Sequence, residues 1–491
     1  MKRVIDDAVN GEPTEGWVEW SRAAWARHVP GVTDEFVAGL GDGTIHGLAH
    51  ATADTSADRP AVRIGSEWVT HGGLDAMAAR CSGWLHSRVN AGDRVLLAAP
   101  VSLLWIAMYL GILRAGAVVV PANPSYTKPE LDQLAAAAGP ALVIKEVDQA
   151  WIGGKPEPWI QRGEPDSPAL LAFTSGTTGK PKGVPLTHRQ LLTSIRSAMA
   201  AWRWSPRDVL AHALPLYHQH GLGGLHATLV AGSTLALLNR FDVDDLNDEV
   251  EWGNATVLFA VPTMYQRLAG APVWKNRLRL CISGSAPLSA EVASEARRVL
   301  GRQPLVRYGL TESGLNVSQV YGEPHTGSVG IPLPGVVVRL ADDGEIQMRG
   351  PQVFRGYLGG EPAFTEDGWF RTGDLGRLDA ATGELVIEGR SKELIITGGM
   401  KVHPREVEEV LERHASVAEA AVAGLPSDRW GEQVTGWVVV RPGFVFDEAA
   451  LIDHARSMLA PYKCPKQVFV VEALPRNHMG KLDRKRLLVA G

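Results

Sequence analysis

Cysteine is scarce in this chain. Cys81, Cys281 and Cys464 are the only three among 491 residues, far apart and without a C-x-x-C pair. That usage excludes a disulfide framework and a zinc ribbon and fits a reducing compartment. An excess of one charge is missing too, since 49 Lys and Arg stand against 54 Asp and Glu for a net charge of −5. Neither nucleic acid nor an anionic membrane surface is therefore expected as a partner. No long apolar run exists: the greasiest, Leu103 to Leu113, is too short to span a bilayer and is followed by Arg114 and Pro121. It is expected as a core helix with Trp105, Tyr109 and Leu113 on one face. Met1-Lys2-Arg3 leads into Asp6-Asp7 and polar sequence, not an apolar signal region, so no export and a cytoplasmic location are expected. A chain of this length requires at least two domains, and small molecules are its expected guests.

The most informative stretch present is Leu170-Leu171-Ala172-Phe173-Thr174-Ser175-Gly176-Thr177-Thr178-Gly179-Lys180-Pro181-Lys182-Gly183. An apolar run that reads as a buried strand ends at Phe173 and passes into a loop of hydroxyls, glycines and lysines. Glycines let consecutive N–H groups turn inward on an anion, and hydroxyls and ammonium groups complete a phosphate cradle. This is no P-loop, because Pro181 follows Lys180 and the upstream glycine spacing is absent. A flexible surface linker of the same composition is the plain alternative; the buried strand ahead of the loop speaks against it.

Around this loop, apolar strands alternate with helical patterns. Ala61–Ile64, Asp93–Leu97, Ala115–Pro121 and Ala141–Ile144 read as strands, with helices at 74–89 and 186–202. The alternation predicts a mostly parallel sheet with helices on both faces, whose ligands gather at strand carboxyl ends. Trp17 to about His50 reads as irregular. Thr256–Val261, Leu278–Ile282 and Leu305–Tyr308 are further strands, the last two ending in the polar loops Ser283-Gly284-Ser285-Ala286 and Gly309-Leu310-Thr311-Glu312. Small residues at 283–286 would let a flat purine lie on backbone. His218 and His220, with His212 nearby, have no carboxylate or thiol cluster beside them, which argues against a metal; a packed histidine or the wall of a pocket remains. Segments 344–350 and 368–375 suggest a β-rich subdomain, in which Asp374 has the chemistry to accept both hydroxyls of a ribose or to form a turn. Gly389-Arg390-Ser391-Lys392-Glu393 reads as a junction, and an α+β pattern follows. The fold class is thus α/β, with a large N-terminal domain at 1–391 and a small α+β domain at 392–491.

These motifs, in this order from about Val95 to Arg486, resemble those of the adenylate-forming enzymes: acyl-CoA synthetases, peptide-synthetase adenylation domains and luciferases. The resemblance implies an acid–thiol ligase that joins a carboxylate and ATP into an acyl adenylate, after which a mobile C-terminal domain rotates and a thiol attacks. By position, it implies that Thr174, Ser175, Gly176, Thr177, Thr178, Gly179, Lys180 and Lys182 hold phosphates and that Glu312 with Thr174 supports Mg²⁺. It further implies that Ser285, Ala286, Tyr308 and Thr311 line ATP, that Asp374 and Arg390 serve the ribose, and that Lys392 is the hinge. Lys481 would bridge the substrate carboxylate and the α-phosphate, where a cation must offset the charge of two approaching anions. Gly398 and Gly399 would line a pantetheine passage for CoA. Glu393 stands where many relatives have Asp.

Arg267 and Arg307, with His218 and Ser283, are expected at the acyl site. Together with Pro215-Leu216-Tyr217-His218 and Arg476-Asn477-His478-Met479-Gly480-Lys481 they resemble malonyl-CoA synthetases. A buried arginine there needs an anion to offset its desolvation, and two guanidiniums would hold the distal carboxylate of malonate or methylmalonate. A solvated Arg267 and an Arg307 paired with a structural carboxylate form the alternative. Another short dicarboxylate or a small polar acid as substrate, a carrier-protein thiol or an amine as acceptor, activation of a small oxyanion, and a catalytically silent nucleotide-binding protein also stay open.

Overall fold

The computed structural model describes residues 15–152, 155–175, 181–274, 278–427, 429–476, 482–484 and 486–487. Contacts divide the chain into two compact units. One comprises Met1–Arg339, Met348–Phe370 and Ala381–Glu384; the other comprises Leu340–Gln347, Arg371–Ala380 and Leu385–Gly491.

The first unit is built on two sheets. In a nine-stranded sheet, Leu305–Leu310, Leu280–Ser283, Val257–Ala260, Val209–His212, Thr234–Leu237 and Pro60–Ile64 lie side by side in that order and run parallel. Antiparallel strands Gly314–Ser318, Ile331–Pro332 and Glu67–Thr70 close its edges. The central strands are buried on both faces, which is why they read as unbroken Val, Leu, Ile and Ala runs.

The second sheet runs Leu142–Ile144, Arg94–Leu97, Val118–Pro121, Pro168–Ser175 and Pro181–Thr187. The last two strands form an antiparallel hairpin that pairs Thr174 with Lys182 and Phe173 with Gly183. The glycine-rich loop therefore tips a hairpin, where the sequence suggested a strand followed by a loop and then a helix. Strand Pro181–Thr187 escapes the pattern because Pro181 and Pro185 interrupt it, and proline is tolerated there because the strand lies at the sheet edge. Helix His188–Ala201 begins directly afterwards, closed by a capping box of Thr187 and Gln190.

Two other expectations are corrected. Residues 17–50 are mainly helical, with helices Glu15–His28, Asp34–Gly39 and Ile45–Thr55. Trp17, Trp20, Ala24, Trp25 and His28 form the buried face of the first, an i, i+3, i+4 spacing that was present in the sequence. Helix Leu103–Arg114, capped by Ser102, is buried all round from Trp105 to Arg114, not along one face. None of the described helices is long and apolar enough to cross a membrane.

In the second unit, Met400–Val402, Ile395–Thr397, Gly431–Val440 and Val417–Ser427 form a sheet, with Gln467–Val470 parallel to Gly431–Val440. Helix Pro404–Glu412 packs Val407, Val410 and Leu411 into its core. Strand Leu385–Arg390 pairs with Phe370–Leu378, so both strands group largely with this unit, ahead of the junction expected at 391.

Burial keeps several histidines of the first unit neutral. Desolvation holds His28, His46 and His212 down at about 4, and His188 and His226 at about 3. Below the ordinary histidine range the unfolded chain takes up protons that the folded chain refuses, so stability falls as pH drops through the window from about 6.5 to about 4. Thermal midpoints are expected to stay level above about pH 7 and to decline from about pH 6.5 to pH 5. Replacing His28 by Gln should flatten that slope by up to about 1.4 kcal/mol per pH unit; a midpoint independent of pH over this range would contradict the burial argument.

Candidate functional site

The first unit brings one group of expected residues to the carboxyl ends of its strands. Thr174 and Lys182 face one another across the hairpin. Gly176, Thr177, Thr178, Gly179 and Lys180 lie outside the described residues, as does the side chain of Ser175. The Lys182 ammonium sits 4.8 Å from the centre of the Tyr357 ring and 3.8 Å from Glu361 Oε1. The Tyr357 hydroxyl donates to Oε1 of the buried Glu312 at 2.9 Å. Backbone contacts fix this bridge: Leu358 N–H donates to Gly183 C=O at 2.9 Å, and Phe354 N–H to Glu312 C=O at 2.7 Å. Tyr357 was missed by sequence reasoning. Its only signal was an aromatic residue inside the glycine-rich run Gly356-Tyr357-Leu358-Gly359-Gly360.

The donor set suits Mg²⁺. Glu312 offers one buried carboxylate near a hydroxyl-bearing strand end, and a hard cation of that kind takes its remaining oxygen ligands from phosphates and water. Among the described residues, no cluster of three His, Cys, Asp or Glu forms an all-protein metal centre. His212 hydrogen-bonds Gly221 C=O at 3.1 Å through Nε2.

Strand Leu280–Ser283 delivers the loop 283–286. Ser285 has φ +71°, one of only three non-glycine residues in the left-handed region among the described residues. Such a conformation persists only where neighbours impose it; one of them is His220, whose Nδ1 lies 3.2 Å from Ser285 Oγ. From sequence His220 was weighed only with His218 as a metal ligand, whereas His218 was also expected at the acyl site. His218 is the N-cap residue of helix Gln219–Ala231, half-buried with its ring 4.6 Å from that of Tyr217. Tyr308 is buried on the strand Leu305–Leu310, and Thr311 is half-buried just beyond it.

The two arginines expected to act together part company. Arg307 is 7% exposed, and its Nε and Nη2 have no hydrogen-bond partner among the described residues. Burial alone pulls its guanidinium down to about 10. Ser283 Oγ, also fully buried, likewise has no partner among them. Arg267, by contrast, is exposed at the end of helix Pro262–Gln266, donates to Phe241 C=O at 2.7 Å, and lies over the Phe241 ring. Its guanidinium is engaged by the Phe241 carbonyl and ring, so the two arginines do not form a clamp of two buried guanidiniums in this structure.

The second unit carries its own group. Asp374, buried, pairs with Arg390 across the hairpin, with Arg390 Nε 2.9 Å from Oδ1. Its backbone N–H is held by Thr372 Oγ1 at 3.1 Å. Lys392 is exposed in a short turn of helix at Ser391–Glu393. Gly398 and Gly399, with φ of +56° and +78°, form the two-residue turn between Ile395–Thr397 and Met400–Val402. Left-handed backbone at both positions is what such a hairpin demands, so the glycines answer to conformation first. Lys481 lies outside the described residues. The segments flanking it are anchored: Arg476 bridges to Leu482, and Asp483 N–H donates to Pro475 C=O at 2.8 Å. Arg484 meets Glu408 at 2.7 Å and Glu393 at 3.2 Å.

The first unit thus carries Thr174 and Lys182 at the facing ends of a hairpin, a buried carboxylate joined to that lysine through Tyr357, and a serine in left-handed conformation. The AMP-binding enzyme model matches residues 49–358, and the model of the AMP-binding enzyme C-terminal domain matches 406–481. The chain belongs to the AMP-binding enzyme family and is an adenylate-forming ligase. Among individual proteins, it is 36% identical to a mitochondrial malonate–CoA ligase of Mus musculus over 68% of this chain and 66% of that protein. It is 32% identical to a malonate–CoA ligase of Arabidopsis thaliana, over 89% of this chain and 87% of that one. The solved structure of ATP-bound MatB from Rhodopseudomonas palustris superposes with a TM-score of 0.85 at 35% identity, covering 91% of this chain and 99% of MatB.

Tyr357→Phe keeps the ring beside Lys182 but removes the hydrogen bond to Glu312. It is expected to weaken binding of Mg²⁺–ATP about tenfold or more, the worth of a hydrogen bond to a charged group. Tyr357→Leu, which also forfeits the cation–π contact, should lose more. Calorimetric titration would check both, and equal affinity in all three proteins would remove Tyr357 from the site.

Proposed function

We propose that this chain is an ATP-dependent, AMP-forming acid–CoA ligase whose acid is a short dicarboxylate, malonate or methylmalonate. The observation that carries the choice of acid is Arg307. A charged guanidinium withdrawn from water without a protein partner is costly, and the distal carboxylate of the substrate would repay that cost by charge-assisted hydrogen bonds. Ser283 Oγ offers that carboxylate a further donor, and His218 walls the same acyl site. The malonate–CoA ligases of mouse and Arabidopsis support this reading.

In the first half-reaction a carboxylate oxygen of the acid attacks the α-phosphorus of ATP, the bond to the β-phosphate oxygen breaks, and pyrophosphate leaves. Lys481 bridges the two anions and offsets the charge that develops at phosphorus. The loop from Thr174 to Lys182 holds the β- and γ-phosphates, and Ser285, Ala286, Tyr308 and Thr311 border the nucleoside. Asp374 accepts the ribose hydroxyls, with Arg390 as its partner. Glu312 and Thr174 would hold Mg²⁺, which supplies charge neutralisation at the phosphates when bound.

The second half-reaction follows rotation of the C-terminal domain about Lys392, with the domain boundary at 391/392. The CoA thiolate, admitted past Gly398 and Gly399, attacks the acyl carbon, and AMP departs with the electrons of the broken acyl–phosphate bond. Cys81, Cys281 and Cys464 are all unpaired and buried, in keeping with a reducing cytoplasm. A carrier-protein thiol in place of CoA would use the same adenylation machinery.

Two outcomes test this reading. ATP–pyrophosphate exchange should be strong with malonate or methylmalonate and weak with acetate, butyrate or amino acids, and adding CoA should release AMP. Exchange without CoA-dependent AMP release would redirect the acceptor to a carrier protein or an amine. Lys481→Ala should lower adenylate formation by several orders of magnitude while sparing thioester formation from supplied adenylate. Equal loss of both half-reactions would refute the assignment of Lys481 to one of them.

A further inference from the structure

The space beside the Arg307 guanidinium belongs to a missing side chain. A Cβ placed on Gly284 would lie 2.4 Å from Arg307 Nε, 2.6 Å from Cζ and 2.9 Å from Nη2. A methyl group and the guanidinium cannot share that volume. Backbone conformation does not explain the glycine, because Gly284 is absent from the residues with positive φ, whereas its neighbour Ser285 is among them. The flanking geometry is otherwise rigid: Ser283 is fully buried and pairs with Val306 in the parallel ladder, one residue before Arg307.

We propose that Gly284 is a specificity-determining residue, whose lack of a side chain lets the Arg307 guanidinium lie buried at the end of strand Leu280–Ser283 and so admits acids with a second carboxylate. The inference rests on the reading of Arg307 given above. The three atoms nearest the added Cβ all belong to the guanidinium, not to backbone. A larger residue at 284 therefore displaces the flexible end of one arginine and leaves the strand ladder in place. The cation moves away from the acid, and a methyl group takes its position. A monocarboxylic acid has no group there to miss it.

The test compares wild type, Gly284→Ala, Arg307→Ala and the double variant in ATP–pyrophosphate exchange with malonate and with propionate. Gly284→Ala is expected to lower kcat/KM for malonate at least about tenfold, the effect of losing a hydrogen bond to a charged group, with propionate use falling far less. The double variant should be no worse on malonate than Arg307→Ala, since both changes remove one contact. Its thermal midpoint should match that of Arg307→Ala, even if Gly284→Ala alone is less stable than wild type.

Malonate use by Gly284→Ala equal to wild type, while Arg307→Ala loses it, would overturn the inference and leave the role of Arg307 standing. Malonate use unaffected by Arg307→Ala would overturn the reading beneath it. Parallel loss of malonate and propionate in Gly284→Ala, or a double variant less stable than Arg307→Ala, would make Gly284 a general structural residue and refute the proposal.

Discussion

A guanidinium held out of water without a counter-ion among the described residues is the constraint on which the first unit turns. Arg307 sits on a strand bounded on one side by Leu280–Ser283 and on the other by Gly314–Ser318. Neither flank brings it a carboxylate, and the hydrogen-bonding capacity of Ser283 is left equally unspent. In the proposed reaction, an anion arriving from solution would offset the cost of burying the guanidinium. The parallel ladder with Leu280–Ser283 and the serine loop, whose left-handed residue meets His220, fix the backbone around Arg307.

The second unit solves a different problem, that of tethering. Asp374 is joined to Arg390 across a hairpin, a few residues ahead of Lys392. The stretches on either side of Lys481 are tied by a strand bridge, a backbone hydrogen bond and two carboxylates that meet at Arg484. One of those carboxylates, Glu393, adjoins Lys392 itself. The junction and the C-terminal segment are thereby joined through one arginine. The other carboxylate, Glu408, is pushed upward by burial, while Arg484 and Arg405 pull it back; a buried ion pair of this sort fixes geometry more than it adds stability.

Much of this was legible because local chemistry and global position agreed. The run Leu170–Phe173 could be read as a buried strand without knowing its neighbours. Arg307 was legible through the motif beside it, Tyr308-Gly309-Leu310-Thr311-Glu312. Arg267 was not, since whether an arginine at a helix end faces a cavity or a neighbouring carbonyl depends on a segment 26 residues away, Phe241. Tyr357 escaped for the same reason: its partners Lys182 and Glu312 are remote in sequence. The helix at 15–28 was missed although its tryptophans recur at helical spacing, because Pro30, Gly31 and scattered charges obscured the pattern. Gly398 and Gly399 were noticed for the room they leave, whereas the hairpin turn accounts for both.

The edge strand Pro181–Thr187 has a consequence for the chain as a solute. Gly183 directs its carbonyl outward, where Leu358 N–H takes it, so by the two-residue period of a strand Pro181 and Pro185 point the same way. Proline has no N–H to give. The outer border next to the nucleotide loop is thus stripped of two donors and has one acceptor already occupied. An open sheet edge is ordinarily a template on which a foreign strand can grow; here the hairpin can stay accessible to a nucleotide while refusing another copy of itself, which guards against aggregation at the place where the fold can least be covered.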